Sequence, residues 1–151
     1  MMLSIRKMNE TDLTEMYHIA LRAFKEDYDL YGQYPPLLNL KQERLNPSAD
    51  AGYVFLYGEQ PIGGSFAWQS FDRATLGAIF IAPEYQGRGF GQQFMGMIEQ
   101  QFPNARTWTL DTPYKAYRNH HFYEKLGYQK VREHQPDKNN AFKVIIYKKT
   151  V

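Results

Sequence analysis

Apolar residues recur in short bursts along this chain, and their period switches several times between two and the helical value. Leu3 to Met8 alternates apolar and polar positions as a strand does. Asn9 or Thr11 then stands where a cap belongs for a helix carrying Leu13, Met16, Tyr17, Ala20 and Phe24 on one face. From Lys25 to Pro36 the pattern breaks into an acidic and aromatic stretch, and Leu38 to Leu45 has the length of a short second helix. Tyr53 to Tyr57 reads as a strand, Gly58-Glu59-Gln60-Pro61 as its turn, and Ile62 to Phe71 as its hairpin partner. A further strand is expected from Ala74, ending in the continuously apolar run Leu76 to Ile81, which predicts burial on both faces.

Ala82-Pro83-Glu84-Tyr85 forces a turn, and Phe90, Phe94, Met97, Ile98 and Phe102 recur at helical spacing until Pro103 stops the run. Thr107 to Leu110 predicts another strand. Thr112 followed by Pro113 has the form of a cap and first helical residue, with Gly127 after Leu126 as the stop. Tyr128 to Glu133 and Phe142 to Tyr147 are two closing strands joined by the polar stretch Gln135 to Asn140. Strands and helices in this order predict an α/β layer arrangement around a mixed sheet.

Composition narrows the picture. With 151 residues, 43% hydrophobic and 16% aromatic, one domain spanning 1–151 with its own core is expected. The formal net charge of +2 is too small, and the Lys and Arg too scattered along the chain, to imply a nucleic-acid partner. The absence of cysteine excludes disulfides, thiolate metal sites and a cysteine nucleophile. His120 and His121 are neighbours that point about 100° apart on a helix, so no metal site is expected. Met1 to Asp12 lacks a signal-peptide core and no run is long enough to span a bilayer, so we expect a cytoplasmic protein without a membrane partner.

The candidate chemistry lies in Gln86-Gly87-Arg88-Gly89-Phe90-Gly91, between the apolar strand and the helix. Three glycines at alternate positions free the backbone of Cβ atoms, so successive N–H groups can converge on a phosphate at the helix N-terminus, and Arg88 adds a fixed positive charge. A plain structural turn uses the same residues; the apolar strand before and amphipathic helix after favour the anion cradle. No Gly-Lys-Ser/Thr follows, and the dinucleotide spacing is absent. A second constellation is Asn119, Phe122, Tyr123 and Leu126 on one face of the last helix.

These segments resemble the GNAT (general N-acetyltransferase) superfamily. Gln86, Gly89 and Gly91 match its acyl-coenzyme A signature Gln/Arg-x-x-Gly-x-Gly/Ala, and Ile79-Phe80-Ile81-Ala82-Pro83 fits its fourth strand. Asn119 and Tyr123 fit its segment in which an asparagine helps hold the cofactor and a tyrosine hydroxyl faces the thioester sulfur. The resemblance implies a mostly antiparallel central sheet flanked by helices and acetyl-CoA as cosubstrate. It also implies a cofactor site built from Ile79, Phe80, Ile81, Gln86, Gly87, Arg88, Gly89, Phe90, Gly91, Gln92 and Asn119, with the strand backbone pairing with the pantetheine arm.

Acyl transfer from a thioester to an amine needs a neutral nitrogen, a stabilised oxyanion and a proton for the departing thiolate. Tyr123, a phenol protonated at neutral pH, is assigned as general acid. The general base is open: Leu76 to Ile81 has no ionisable residue, and Glu84 lies in the turn, where a solvated side chain is expected. Asp72, Asp111, Glu26 or Asp27 can act only if the fold brings one near the thioester, a water chain being the alternative. Glu26, Asp27, Tyr28, Tyr31 and Tyr34 fall where this family builds its acceptor pocket, which suggests a cationic amine held by carboxylates and aromatic faces.

The expected function is direct acetyl transfer to a primary amine of a small molecule. The alternatives are a protein or peptide N-acetyltransferase and a non-catalytic acyl-CoA sensor. The resemblance also allows a homodimer through the closing strands.

Overall fold

The computed structural model describes residues 1–151 and contains one seven-stranded sheet, a separate two-stranded pair and four α-helices. The strands are β1 (Leu3–Lys7), β2 (Leu38–Asn39), β3 (Arg44–Leu45), β4 (Gly52–Tyr57), β5 (Gln60–Ser70), β6 (Arg73–Ile81), β7 (Thr107–Pro113), β8 (Gln129–His134) and β9 (Val144–Thr150). The helices are α1 (Asp12–Ala23), α2 (Lys25–Tyr31), α3 (Phe90–Gln100) and α4 (Tyr117–Lys125). The large sheet runs β1-β4-β5-β6-β7-β9-β8, with β6 and β7 parallel and the other recorded neighbours antiparallel. This is the expected α/β class with a mostly antiparallel sheet. No helix is long and apolar enough to cross a membrane.

The chain packs as two compact units, Met1–Ala67 with Ala78–Gln101, and Trp68–Gly77 with Phe102–Val151. In the first, Leu13, Met16, Tyr17 and Ala20 of α1 pack with Val54, Phe66 and Phe80 of the strands. That is the helical periodicity read from the sequence, realised as a buried stripe. Arg6 and Asp12 pin β1 to the start of α1 through a two-pronged ion pair at 2.8 and 2.9 Å, and Asp12 also accepts from the Asn9 N–H. On α3, Phe94 stacks on Phe55 with centroids 4.1 Å apart. Gly63 is required by close approach, because a Cβ there would lie 2.2 Å from the Phe80 carbonyl oxygen.

In the second unit, β9 pairs along its length with β7 and on its other edge with β8, where the register slips between Lys130 and Arg132. Trp108 is buried against Phe102. Trp68, by contrast, is 47% exposed.

Several expectations are corrected. The stretch from Lys25 contains a helix, α2, which buries no residue and so lacked any apolar stripe to read. Leu38 to Leu45 is not a helix but the β2–β3 hairpin, with Leu38 and Leu45 paired and buried. Thr112 and Pro113 end β7 rather than opening the helix, because Pro113 pairs with Val144 and α4 starts only at Tyr117. The run Leu76 to Ile81 is not buried on both faces: Gly77 is exposed and Ala78, Ile79 and Ile81 are half-buried.

Candidate active site

The cradle belongs to the first unit. β6 is fastened to β5 by the Ser65 hydroxyl donating to the Ala78 carbonyl at 2.8 Å and by the Ala82 N–H donating to Ile62 at 2.8 Å. A short turn over Pro83–Tyr85 follows, and the Gln86 side-chain amide donates back to the Ile81 carbonyl at 2.9 Å. Gly87 and Gly89 have φ of 75° and 79°, and Gly89 is the residue from which α3 springs. L-residues with side chains rarely take this conformation, so glycine is dictated by the backbone here.

Three observations fit this turn to an anionic group. A Cβ built on Gly87 or Gly89 meets no protein atom within 4 Å, so the space above the turn is open. The α3 N-terminus has neither a side-chain cap nor an acidic residue in its first turn, Phe90-Gly91-Gln92-Gln93, which leaves its N–H groups and positive dipole end available. Arg88 is held beside it, donating to the Glu84 carbonyl at 3.1 Å with its guanidinium 5.4 Å from the Tyr85 ring and 5.9 Å from Phe90. Glu84 itself forms an ion pair with Arg22 and stays half in water.

In the second unit, α4 carries Asn119 and Tyr123. Asn119 donates to the Thr112 hydroxyl at 3.3 Å, so the residue expected to cap the helix serves from β7 as a hydrogen-bond partner of Asn119 instead. Tyr123 is buried, with Phe122, Tyr128 and Tyr147 rings around it at 5.2, 5.9 and 6.2 Å. Burial, reinforced by the charge of Asp111, raises its phenol well above the usual range, so its proton is firmly held. His120 is buried with a ring nitrogen 3.0 Å from the Pro113 carbonyl.

Of the four carboxylates considered as base, Asp111 is the one that shares this electrostatic environment. It stands on β7 opposite Ile146 as an exposed residue, with protein against part of its side chain. Desolvation raises its carboxyl, and the neighbouring His134 charge partly offsets that.

The expected acceptor residues lie in the first unit. Glu26, Asp27, Tyr28 and Tyr31 are on α2, which Gly32 ends with φ of 72°, and Tyr34 follows. Tyr28 and Tyr34 stack with centroids 4.8 Å apart. Asp27 is half-buried, and desolvation followed by repulsion from Glu26 raises its carboxyl.

The chain belongs to the Acetyltransferase (GNAT) family, whose model matches residues 13–128. It is 29% identical over 108 residues to the uncharacterized protein YrkN of Bacillus subtilis, a match covering 70% of this chain and 58% of that protein's length. It is 27% identical over 128 residues to the [ribosomal protein bS18]-alanine N-acetyltransferase of Haemophilus influenzae, covering 84% and 82% of the two chains. Among solved structures, PaiA N-acetyltransferase from Thermoplasma acidophilum, crystallised with coenzyme A, superposes over all of both chains with a TM-score of 0.74 at 19% identity. That similarity is one of fold.

Proposed function

We propose that residues 1–151 form one acetyl-CoA-dependent N-acetyltransferase domain that transfers acetyl directly to a primary amine. The observation that carries the reading is the glycine turn at the uncapped start of α3. Backbone N–H groups of Gly87, Gly89, Phe90, Gly91 and Gln92, with Arg88 beside them, hold the pyrophosphate. Ile79, Phe80 and Ile81 offer backbone groups to the pantetheine arm as an added strand; the parallel ladder of β6 with β7 extends only over Arg73–Thr75, which supports this. Gln86 braces the turn.

Tyr123 meets the departing thiolate. Its raised phenol makes it a hydrogen-bond donor that keeps its proton through most of the step, a refinement of the general-acid role expected from the sequence. Asp111 takes a proton from the acceptor ammonium before attack, directly or through water, so that the nitrogen attacks as a neutral amine; its raised carboxyl brings its proton affinity closer to the task.

The acceptor is a cationic small-molecule amine held by Asp27, Glu26 and the Tyr28–Tyr34 stack, with Tyr31 on the same helix. Asp27 supports this, because a desolvated carboxyl whose charge is opposed by Glu26 is relieved by an incoming ammonium. So does the charge of the first unit, which carries eleven Asp and Glu against seven Lys and Arg. A second reading, acetylation of a protein N-terminus, is supported by the 27% identity to an enzyme named for the alanine of a ribosomal protein.

Mass spectrometry of spermidine and of an alanine-initiated hexapeptide, incubated together with the protein and acetyl-CoA, separates the two. Acetylated spermidine supports the small-molecule reading, and acetylated peptide alone supports the second.

A further inference from the structure

β9 buries a tyrosine where a phenylalanine would fill the same space. Tyr147 is 1% exposed and lies opposite Leu110 of β7 and Lys130 of β8. A buried phenol needs a partner, and its hydroxyl donates to Glu124 Oε2 at 2.7 Å. Burial and the bond to Glu124 push that phenol up to about 12, so it remains a donor across the neutral range.

Three side chains of α4 converge on this one residue. The His120 ring is 6.0 Å from Tyr147, the Tyr123 ring is 6.2 Å away, and Glu124 takes the hydrogen bond. Tyr123 and Glu124 are successive residues, about 100° apart around the helix, with His120 between them on the same arc. Ring contacts tolerate small rotations. A 2.7 Å hydrogen bond does not, so it is the directional member of the set.

Resting on the assignment of Tyr123 to the departing thiolate, we infer that the Tyr147–Glu124 hydrogen bond is a clamp that fixes the rotation of α4 and so the position of the Tyr123 hydroxyl. Tyr147 is then a positioning residue for acyl transfer. Glu124 is exposed, so loss of the bond leaves its carboxylate in water, and Tyr147→Phe keeps the ring packing. The fold is therefore expected to survive the change that releases the clamp.

The test uses the full chain labelled with ¹³C at the tyrosine ζ carbon, the Tyr123 signal being assigned by its loss in Tyr123→Phe. Tyr147→Phe and Glu124→Leu are expected to shift and broaden the Tyr123 signal, whereas Glu124→Gln, which keeps an acceptor oxygen, restores it. In thiol release from acetyl-CoA with spermidine and the alanine-initiated hexapeptide, the first two variants lower kcat about tenfold at unchanged KM for acetyl-CoA. The double variant Tyr123→Phe/Tyr147→Phe is no slower than Tyr123→Phe alone.

An unmoved Tyr123 signal in Tyr147→Phe, or losses that multiply in the double variant, overturns the clamp. If Tyr123→Phe turns over normally, the thiolate assignment fails instead, and the ¹³C signal still reports whether the clamp exists.

Discussion

The side-chain amide of Gln86 donates to the backbone carbonyl of Ile81 at 2.9 Å, tying the first residue of the glycine turn to the last residue of β6. The turn is thus held from its entry by a side chain and at its exit by the start of α3. Gln86→Ala is expected to raise KM for acetyl-CoA about fivefold to tenfold with kcat nearly unchanged, because one neutral hydrogen bond orders the turn before binding. Steady-state kinetics with varied acetyl-CoA check this.

Gly89 takes φ of 79° at the helix entrance. Gly89→Ala meets no clash, so its cost is conformational, about 1 kcal/mol of stability. Any relaxation of that φ turns the first N–H groups of α3 away from the open space, so coenzyme A affinity is expected to fall by more than the stability does. Urea unfolding and calorimetric titration with coenzyme A, run on the same preparation, measure both.

Asp111 is expected to show a trade between stability and turnover. Its folded carboxyl is raised, so its contribution to stability is full below the unfolded pKa and is lost as pH rises through the folded value. Asp111→Asn, neutral at every pH, is therefore expected to be at least as stable as the parent at neutral pH. Turnover should fall about 100-fold and lose its acidic limb, which in the parent lies above the ordinary carboxylate range. A pH profile of kcat for both proteins decides the matter; an unchanged limb in the variant removes Asp111 from the role.

Asp12 carries the opposite sign. Arg6 and the Asn9 N–H hold its carboxyl below the usual range, so its stabilisation is present above the unfolded pKa and is lost as pH falls through the folded value. Arg6 is 40% exposed, so solvent screens the pair, and Asp12→Asn is expected to cost about 1 kcal/mol at pH 7. The difference between the two proteins should vanish in acid, as followed by urea unfolding between pH 7 and pH 3.

What the sequence made legible follows its periodicity. A full apolar stripe placed α1 and α3, because each buries one face and its residues must repeat with the element. β4 and β5 were legible from strand-forming composition between turn signals, their consecutive buried residues showing no alternation. The α2 helix buries nothing and therefore had no stripe to read. Thr112-Pro113 carries a helix-start signal, but pairing of Pro113 with Val144 outweighs it. The glycine turn was readable because its conformation needs glycine itself. Partners distant in sequence were not: Thr112 for Asn119, and Glu124 for Tyr147, are set by how strands and helix pack. Asp111 was visible only as one carboxylate among four until packing placed its charge near Tyr123.

The central claim is tested most directly by following free thiol release from acetyl-CoA, in the presence of spermidine and the alanine-initiated hexapeptide, by the wild-type chain and Tyr123→Phe side by side. The account predicts amine-dependent thiol release by the wild type, and about 100-fold slower release by the variant at similar KM for acetyl-CoA. Tight coenzyme A binding with no thiol release from either amine, or equal rates from the two proteins, would contradict it.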